Sequence, residues 1–281
     1  MNKTCLLIDS QDKLQRAIAD FDHSTVLSID TEYDSFRYFF AKLCLIQISA
    51  RLATYLFDPL DKIDLSFLGR YFQNRQIVKI LHAADNDIRL LKRDYGFVFE
   101  NIFDTHWAAH LLGFQQLSLE KMINQFLKVE LQKSKKIQRS RWDKRPLSAE
   151  QLQYAAQDVT YLPALYREQL AELRKRGLEA TARDSFARIA AATWQEKTID
   201  KRGHTKIAGY YSLNQQQKET LKKLYAWRYQ RAREENRAIF MFLPDKILAD
   251  LVQSGDAWRD ILPAEKAKLY SEELAQIITG S

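Results

Sequence analysis

Cysteine is nearly absent: 281 residues contain two, Cys5 and Cys44. Both lie in apolar, strand-like runs and neither belongs to a metal-ligand spacing. That excludes a cysteine-based metal site and leaves buried free thiols in a reducing compartment. Long apolar runs are missing too. None approaches the ~20 residues needed to cross a bilayer, which excludes a membrane-spanning helix. The opening MNKTCLLIDS holds one lysine and a short apolar run cut off by Asp9, too little for a signal peptide, so a cytoplasmic protein is expected. Histidine is scarce. His106 and His110 stand four apart, but Trp107, Ala108 and Ala109 lie between them, with no glutamate for H-E-x-x-H and no third ligand nearby. Both read as ordinary helix residues.

What is present is a soluble, basic chain. Its length suits one large domain or two modest ones, each with its own core. A formal charge of +7 and a pI near 9.2 favour an anionic partner. The run 26–33, VLSIDTEY, reads as a strand that ends in two carboxylates one residue apart. Side chains alternate along a strand, so Asp30 and Glu32 share a face and Thr31 turns away. Two adjacent acids repel each other, and a divalent cation with hard oxygen ligands relieves that repulsion. Alone, such a pair is more often a solvated strand face.

Residues 4–8, 43–50, 53–58 and 77–81 read as further strands, and 11–21 and 64–74 as helices. The interval 34–42 is too short for a helical crossover, so the strands at 26–33, 43–50 and 53–58 are expected to form an antiparallel meander. The helix 64–74 then crosses over to 77–81. The class is α/β with a mixed sheet flanked by helices. Asp87 falls in the first turn of a helix that starts near Asp85, just past a strand end, where open α/β sheets place their sites. An acid there also complements the helix dipole.

After a helix at 118–127 the composition changes. Residues 133–145, KSKKIQRSRWDKR, hold seven basic residues against one acid. Lys133, Lys135, Lys136, Arg139, Arg141, Trp142 and Arg145 interleave an aromatic with cations, the composition of a surface that tracks phosphates and stacks bases. A partly mobile loop or short helix beside the site is expected. Ser148 and Gln151 then form a capping box, the clearest helix start in the chain. On that helix Tyr154 and Asp158 are four apart and share a face, and Pro163 should end its first segment. Helical patterning continues to residue 194 with a break at Gly177. A polar stretch at 195–211 precedes an all-helical tail, capped at Asn214, in which Lys218, Lys222, Lys223, Arg228, Arg231 and Arg233 are expected to form a basic face.

Each acid is weak evidence separately. Asp30, Glu32, Asp87 and Asp158 together can face one sheet edge, and phosphodiester hydrolysis is where such a set is needed. Two Mg²⁺ held about 4 Å apart activate a water and stabilise the departing oxygen, and that much charge requires several carboxylates.

At these residues the chain resembles the DEDD superfamily of 3′–5′ exonucleases, and within it the ribonuclease D family, marked by a tyrosine four residues before the last aspartate. IDTEY, LCLIQIS, ILHAADNDIRLL, FDTHWAAHLLG and RPLSAEQLQYAAQDVTYL resemble that family's blocks in its order, over residues 26–170. The tail, from HTKIAG through TLKKLYAWRYQRARE to FLPDKIL, resembles a single helicase-and-RNase-D C-terminal (HRDC) domain. The resemblance implies a ribonuclease H-like fold, with an exonuclease domain at 1–175, a helical linker at 176–205 and an HRDC-like domain at 206–281. It implies that Asp30, Glu32, Asp87 and Asp158 ligate two divalent cations, Mg²⁺ or Mn²⁺, while Tyr154 orients the attacking water. The activity implied is 3′–5′ trimming of single-stranded RNA ends to nucleoside 5′-monophosphates, in the maturation of tRNA or other structured RNA. Two alternatives stand beside it. One is a DNA exonuclease of repair, since no residue here reads a 2′-hydroxyl. The other is a nucleic-acid-binding protein without catalysis, against which the presence of all five motif residues argues. The chain departs from the family at Ser140-Arg141-Trp142, where Ser-Asp-Trp is usual. That reverses a charge near the expected substrate path.

Overall fold

β-Branched and apolar runs build one six-stranded sheet in the computed structural model, which describes residues 3–131 and 134–279. Its strands are β1 (Thr4–Ile8), β2 (Val26–Asp34), β3 (Lys42–Ser49), β4 (Ala53–Phe57), β5 (Val78–Leu81) and β6 (Ile102–Asp104), in the order β1-β4-β3-β2-β5-β6. β1 runs parallel to β4, β2 to β5 and β5 to β6, while β3 and β4 are antiparallel. The sheet is mixed, as expected for this class. β4 is buried along its whole length and β3 from Leu43 onward, so these central strands carry apolar residues on both faces rather than alternating.

The chain divides into two units, Met1–Asp34 with Leu43–Gln195, and Ser35–Lys42 with Glu196–Ser281. Among the described residues, nine helices of the first unit accompany its sheet: α1 (Gln11–Asp22), α2 (Leu68–Phe72), α3 (Asp85–Tyr95), α4 (Thr105–Leu111), α5 (Leu119–Leu127), α6 (Lys135–Gln138), α7 (Ala149–Thr160), α8 (Leu162–Lys175) and α9 (Glu179–Ala191). α2 is shorter than its pattern. Asp64 accepts hydrogen bonds from the Ser66 amide and hydroxyl, which holds a turn where the helix was expected to begin. β6, only three residues long, is not among the strands the sequence pattern announces. α7 ends at Thr160 and α8 begins two residues later with Pro163 in its first turn, where the missing amide is no loss. Within 176–205, α9 buries Ala182, Phe186 and Ile189 in the first unit's core.

The second unit contains α10 (Gln215–Glu234), α11 (Ile239–Phe242), α12 (Asp245–Gln253), α13 (Trp258–Ile261) and α14 (Ala264–Thr279) around a core of its own. Asn214 and Gln217 form a capping box at the start of α10. The expected basic face is only partly there. Arg228 is buried and bonds to Asp245 and the Leu243 carbonyl, Arg231 pairs with Glu234 and Glu273, and Arg233 pairs with Glu196. Lys222 and Lys223 remain exposed. No helix among the described residues is long and apolar enough to cross a membrane.

Candidate active site

Three separate elements of the first unit bring acids to one cavity of about 570 Å³. β2 contributes Asp30, Thr31 and Glu32, the start of α3 contributes Asp87, and α7 contributes Tyr154 and Asp158. All five sequence-predicted catalytic residues therefore line the same space. β5 pairs directly with β2, so the α3 start that follows it comes up beside the end of the Asp30–Glu32 segment. α7 packs against β2 and β4, and its i, i+4 spacing turns Tyr154 and Asp158 inward together.

α3 starts at Asp85, whose carboxylate pairs with Arg89, and the turn before it is held from a distance. The buried carboxylate of Asp104 accepts the Ala83 and Ala84 amides at 3.1 and 2.8 Å, and those of His106 and Trp107 at 2.8 and 3.1 Å. One side chain thus caps α4 and also holds the turn that leads into α3. Burial raises its pKa, and these four amides pull the other way. His82 also lines the cavity. Thr105 donates its hydroxyl proton to the Leu81 carbonyl at 3.0 Å, so its 2.8 Å contact with His82 Nδ1 places the ring proton on Nδ1.

Asp87 is pushed up to about 6, chiefly by the packing that removes water from its carboxyl. Thr31 opposes this by donating its hydroxyl to Asp87 Oδ1. Thr31, which strand alternation was expected to turn away, lines the same cavity and meets Asp87 there. Tyr154 is raised by burial, then by the charges of Asp158, Glu32 and Asp30, so its phenol stays protonated at neutral pH. The donor set is four carboxylates with hard oxygens, and it fits a divalent cation by type. Among the described residues no three such groups are placed to grip one ion as they stand. Asp87 is engaged by the Thr31 hydroxyl.

The basic stretch divides into two roles. Lys133 lies outside the described residues. Lys135 reaches the cavity wall from α6, together with Gln138, which composition did not single out. Lys136 and Arg139 are exposed. Arg141 holds Asp143 with two contacts of 2.7 Å. Two expectations are corrected. Trp142 is 2% exposed and packs against Cys44, Leu45, Leu56 and Tyr154, with its Nε1 on the Gln138 carbonyl. It cannot stack a base; it supports Tyr154, 6.1 Å away between ring centroids. Arg145 is not a phosphate ligand either. Its guanidinium bonds both oxygens of Asp58 and the carbonyls of Cys44, Trp142 and Lys144, which uses all five donors.

Comparison with known proteins places these elements. Residues 5–174 match the 3′–5′ exonuclease family model, and residues 217–278 match the HRDC domain. The exosome complex component 10 homolog of Drosophila melanogaster is 28% identical over 256 residues, 89% of this chain and 28% of that protein. Ribonuclease D of Desulfotalea psychrophila is 30% identical over 247 residues, 87% of this chain and 66% of its own length. The catalytic core of RRP6 from Trypanosoma brucei superposes with a TM-score of 0.88 at 22% identity, over 99% of this chain and 79% of that one. The chain spans under a third of the Drosophila relative's length and about two thirds of the ribonuclease D. With more than half of its residues inside that family model and the five motif side chains around one cavity, the chain belongs to the 3′–5′ exonuclease family and carries an HRDC domain beyond it.

Proposed function

We propose that the chain is a metal-dependent 3′–5′ exoribonuclease that releases nucleoside 5′-monophosphates from single-stranded RNA ends. The observation that carries the reading is the meeting of Asp30, Glu32, Asp87, Tyr154 and Asp158 at one cavity from segments far apart in sequence. Asp30, Glu32, Asp87 and Asp158 would hold two divalent cations, Mg²⁺ or Mn²⁺. Such ions supply charge to the phosphodiester and lower the pKa of a water. The protein's own part is placement. Tyr154, kept protonated, donates a hydrogen bond that orients the attacking water rather than removing its proton. Lys135 at the cavity wall and Lys136 and Arg139 beside it draw in the phosphate backbone. The name of one relative, ribonuclease D, supports RNA as the substrate, and maturation of tRNA or other structured RNA is the use proposed for it.

The test is product analysis on matched, 5′-labelled RNA and DNA single strands, with and without EDTA. A ladder shortening from the 3′ end, mononucleotide products, loss in EDTA and preference for RNA are expected. Preference for DNA would move the reading to a repair exonuclease. Asp30→Asn should abolish mononucleotide release while leaving RNA binding within about twofold. Activity that survives this change would sink the carboxylate site as assigned.

A further inference from the structure

On the face of the sheet that carries Asp30 and Glu32, three polar side chains are fully buried with polar atoms that have no hydrogen-bond partner among the described residues. They are Ser28 on β2, Gln47 on β3 and Thr54 on β4, and in Gln47 both the amide nitrogen and the amide oxygen are unpaired. Ring contacts and strand register fix their common side. Tyr55 and Phe57 meet Phe21 of α1, so Thr54 and Leu56 turn the other way, toward α7. Gln47 stands opposite Leu56, which packs with Tyr154 and Ala155 of α7, and Thr54 stands opposite Ser49, two residues on from Gln47. Gln47 and Thr54 are thus diagonal neighbours, within reach of a long side chain. β2 lies beside β3, and Ser28 comes two residues before Asp30, in the stretch of β2 that pairs with β5. Ser28, Asp30 and Glu32 therefore form a row that leads from beneath α7 into the cavity.

The helix above does not satisfy the buried groups. Of its buried side chains, Ala155 and Val159 have no polar atom to offer, and Gln151 is held by the Ser140 hydroxyl and the Ser148 amide. A side-chain amide sealed in a core with neither end bonded is costly, and buried polar groups that no side chain serves are bonded to ordered water. The groups here are neutral and mix donors with acceptors, which suits water and not an ion. We infer that Ser28, Gln47 and Thr54 hold ordered internal water behind Asp30, and that Gln47 is a positioning residue acting through that water on the Asp30 carboxylate. Carboxylates that ligate a metal are themselves oriented by hydrogen bonds from behind, and Asp30 is the member of the set that adjoins this row. The inference rests on the reading of Asp30 as a metal ligand.

The experiment uses the full chain. A high-resolution crystal structure should show water bonded to Gln47 and to at least one of the two hydroxyls, with a further bond to Asp30. A Gln47 amide that bonds Ser28, Asp30 or Thr54 directly, with no water between, overturns the proposal. Gln47→Met keeps the length of the side chain and removes both polar ends. Its affinity for Mn²⁺, measured by calorimetry without substrate, should fall about tenfold or more, the scale seen when the partner behind a ligand is removed. Its urea midpoint in EDTA should be kept, since an apolar side chain of similar shape leaves no amide to satisfy. Should Gln47→Met fail to fold, Ser28→Ala combined with Thr54→Val carries the same expectation for Mn²⁺. If the folded variants bind Mn²⁺ as wild type does, the proposal is overturned while the nuclease reading stands. Lower stability with unchanged Mn²⁺ affinity would make Gln47 a packing residue and overturn it too. If wild type itself binds no Mn²⁺, the carboxylate site has failed, and this proposal falls with it.

Discussion

A phenol that keeps its proton is a donor, and burial beside three carboxylates keeps Tyr154 in that form. Replacing it by phenylalanine removes one hydrogen bond and leaves the packing against Trp142 intact. Turnover should fall by about 10²-fold, the scale of a misplaced reactant. KM should change little, and raising the pH should not restore the rate. Recovery at alkaline pH would mean that the tyrosine works as a base. Thr31 is a subtler case. Thr31→Val keeps the volume and removes the donor to Asp87, so metal affinity measured by calorimetry should change while Asp30 and Glu32 stay in place. Far from the cavity, Lys79 is fully buried on β5, with its ammonium on the Asn74 and Ile77 carbonyls at 2.7 and 2.8 Å. Burial lowers its pKa to about 8 from an ordinary 10.5. The folded chain therefore binds fewer protons than the unfolded one between those values, and this group's contribution to stability rises with pH across that window. Below about pH 8 the cost of holding the charge inside is fully present, on the order of 3 kcal/mol. Urea unfolding should show wild type gaining on Lys79→Met as the pH is raised from 7.5 to 9.5. A constant difference would leave the lysine charged and fully stabilised by its carbonyls.

α7 and the basic stretch before it show which elements can be read from sequence and which cannot. The capping box at Ser148 and the spacing of Tyr154 and Asp158 are local, set within a few residues, and the chain displays them openly. The destiny of Trp142 is not local. Its neighbours Leu45 and Leu56 come from strands almost a hundred residues earlier, so a tryptophan amid arginines resembled a base-stacking surface and is in fact core. Arg145 was misread for the same reason, since Asp58 and the Cys44 carbonyl that satisfy it belong to β3 and the end of β4. The bonds from Asp104 to the turn before α3 and from Thr31 to Asp87 likewise need a sheet to bring the partners together. Arg145 should accordingly behave as an anchor. Arg145→Ala should destabilise the first unit by about 2 kcal/mol, since hydrogen bonds to a charged group are lost and Asp58 is left exposed to no cation. The slope of log K against log salt for RNA should stay as it was. Removing Lys136 and Arg139 together should do the reverse, with stability kept and the slope reduced by about 2. If the anchor variant loses slope and keeps stability, the two roles have been assigned the wrong way round.

On the scale of the whole chain, the two units are not two beads on a string. Residues 35–42 leave the first unit directly after the strand that carries Asp30 and Glu32, build part of the second, and return as β3. Phe36, Arg37, Phe39 and Phe40 of that segment have bonded or ring partners, Phe240, Ala238, Tyr229 and Asn236, in residues that come about two hundred positions later. No window of sequence contains both halves, which is why boundaries at 175 and 205, taken from the family resemblance, do not show the insertion. A chain ending at residue 195 keeps every group of the carboxylate cavity and loses every one of those partners. Phe39, which lies in the second unit's core, would then face water, and the segment that joins β2 to β3 would lose its fixed course. Such a truncation should therefore melt lower than the first unit within the full chain, bind a hydrophobic dye, and cleave even a dinucleotide more slowly. Replacing 35–42 in the truncated chain by a short polar turn should remove the dye binding and recover much of the dinucleotide rate. If the simple truncation is already as stable and as active as the repaired one, the inserted segment does not tie the catalytic strand to the second unit.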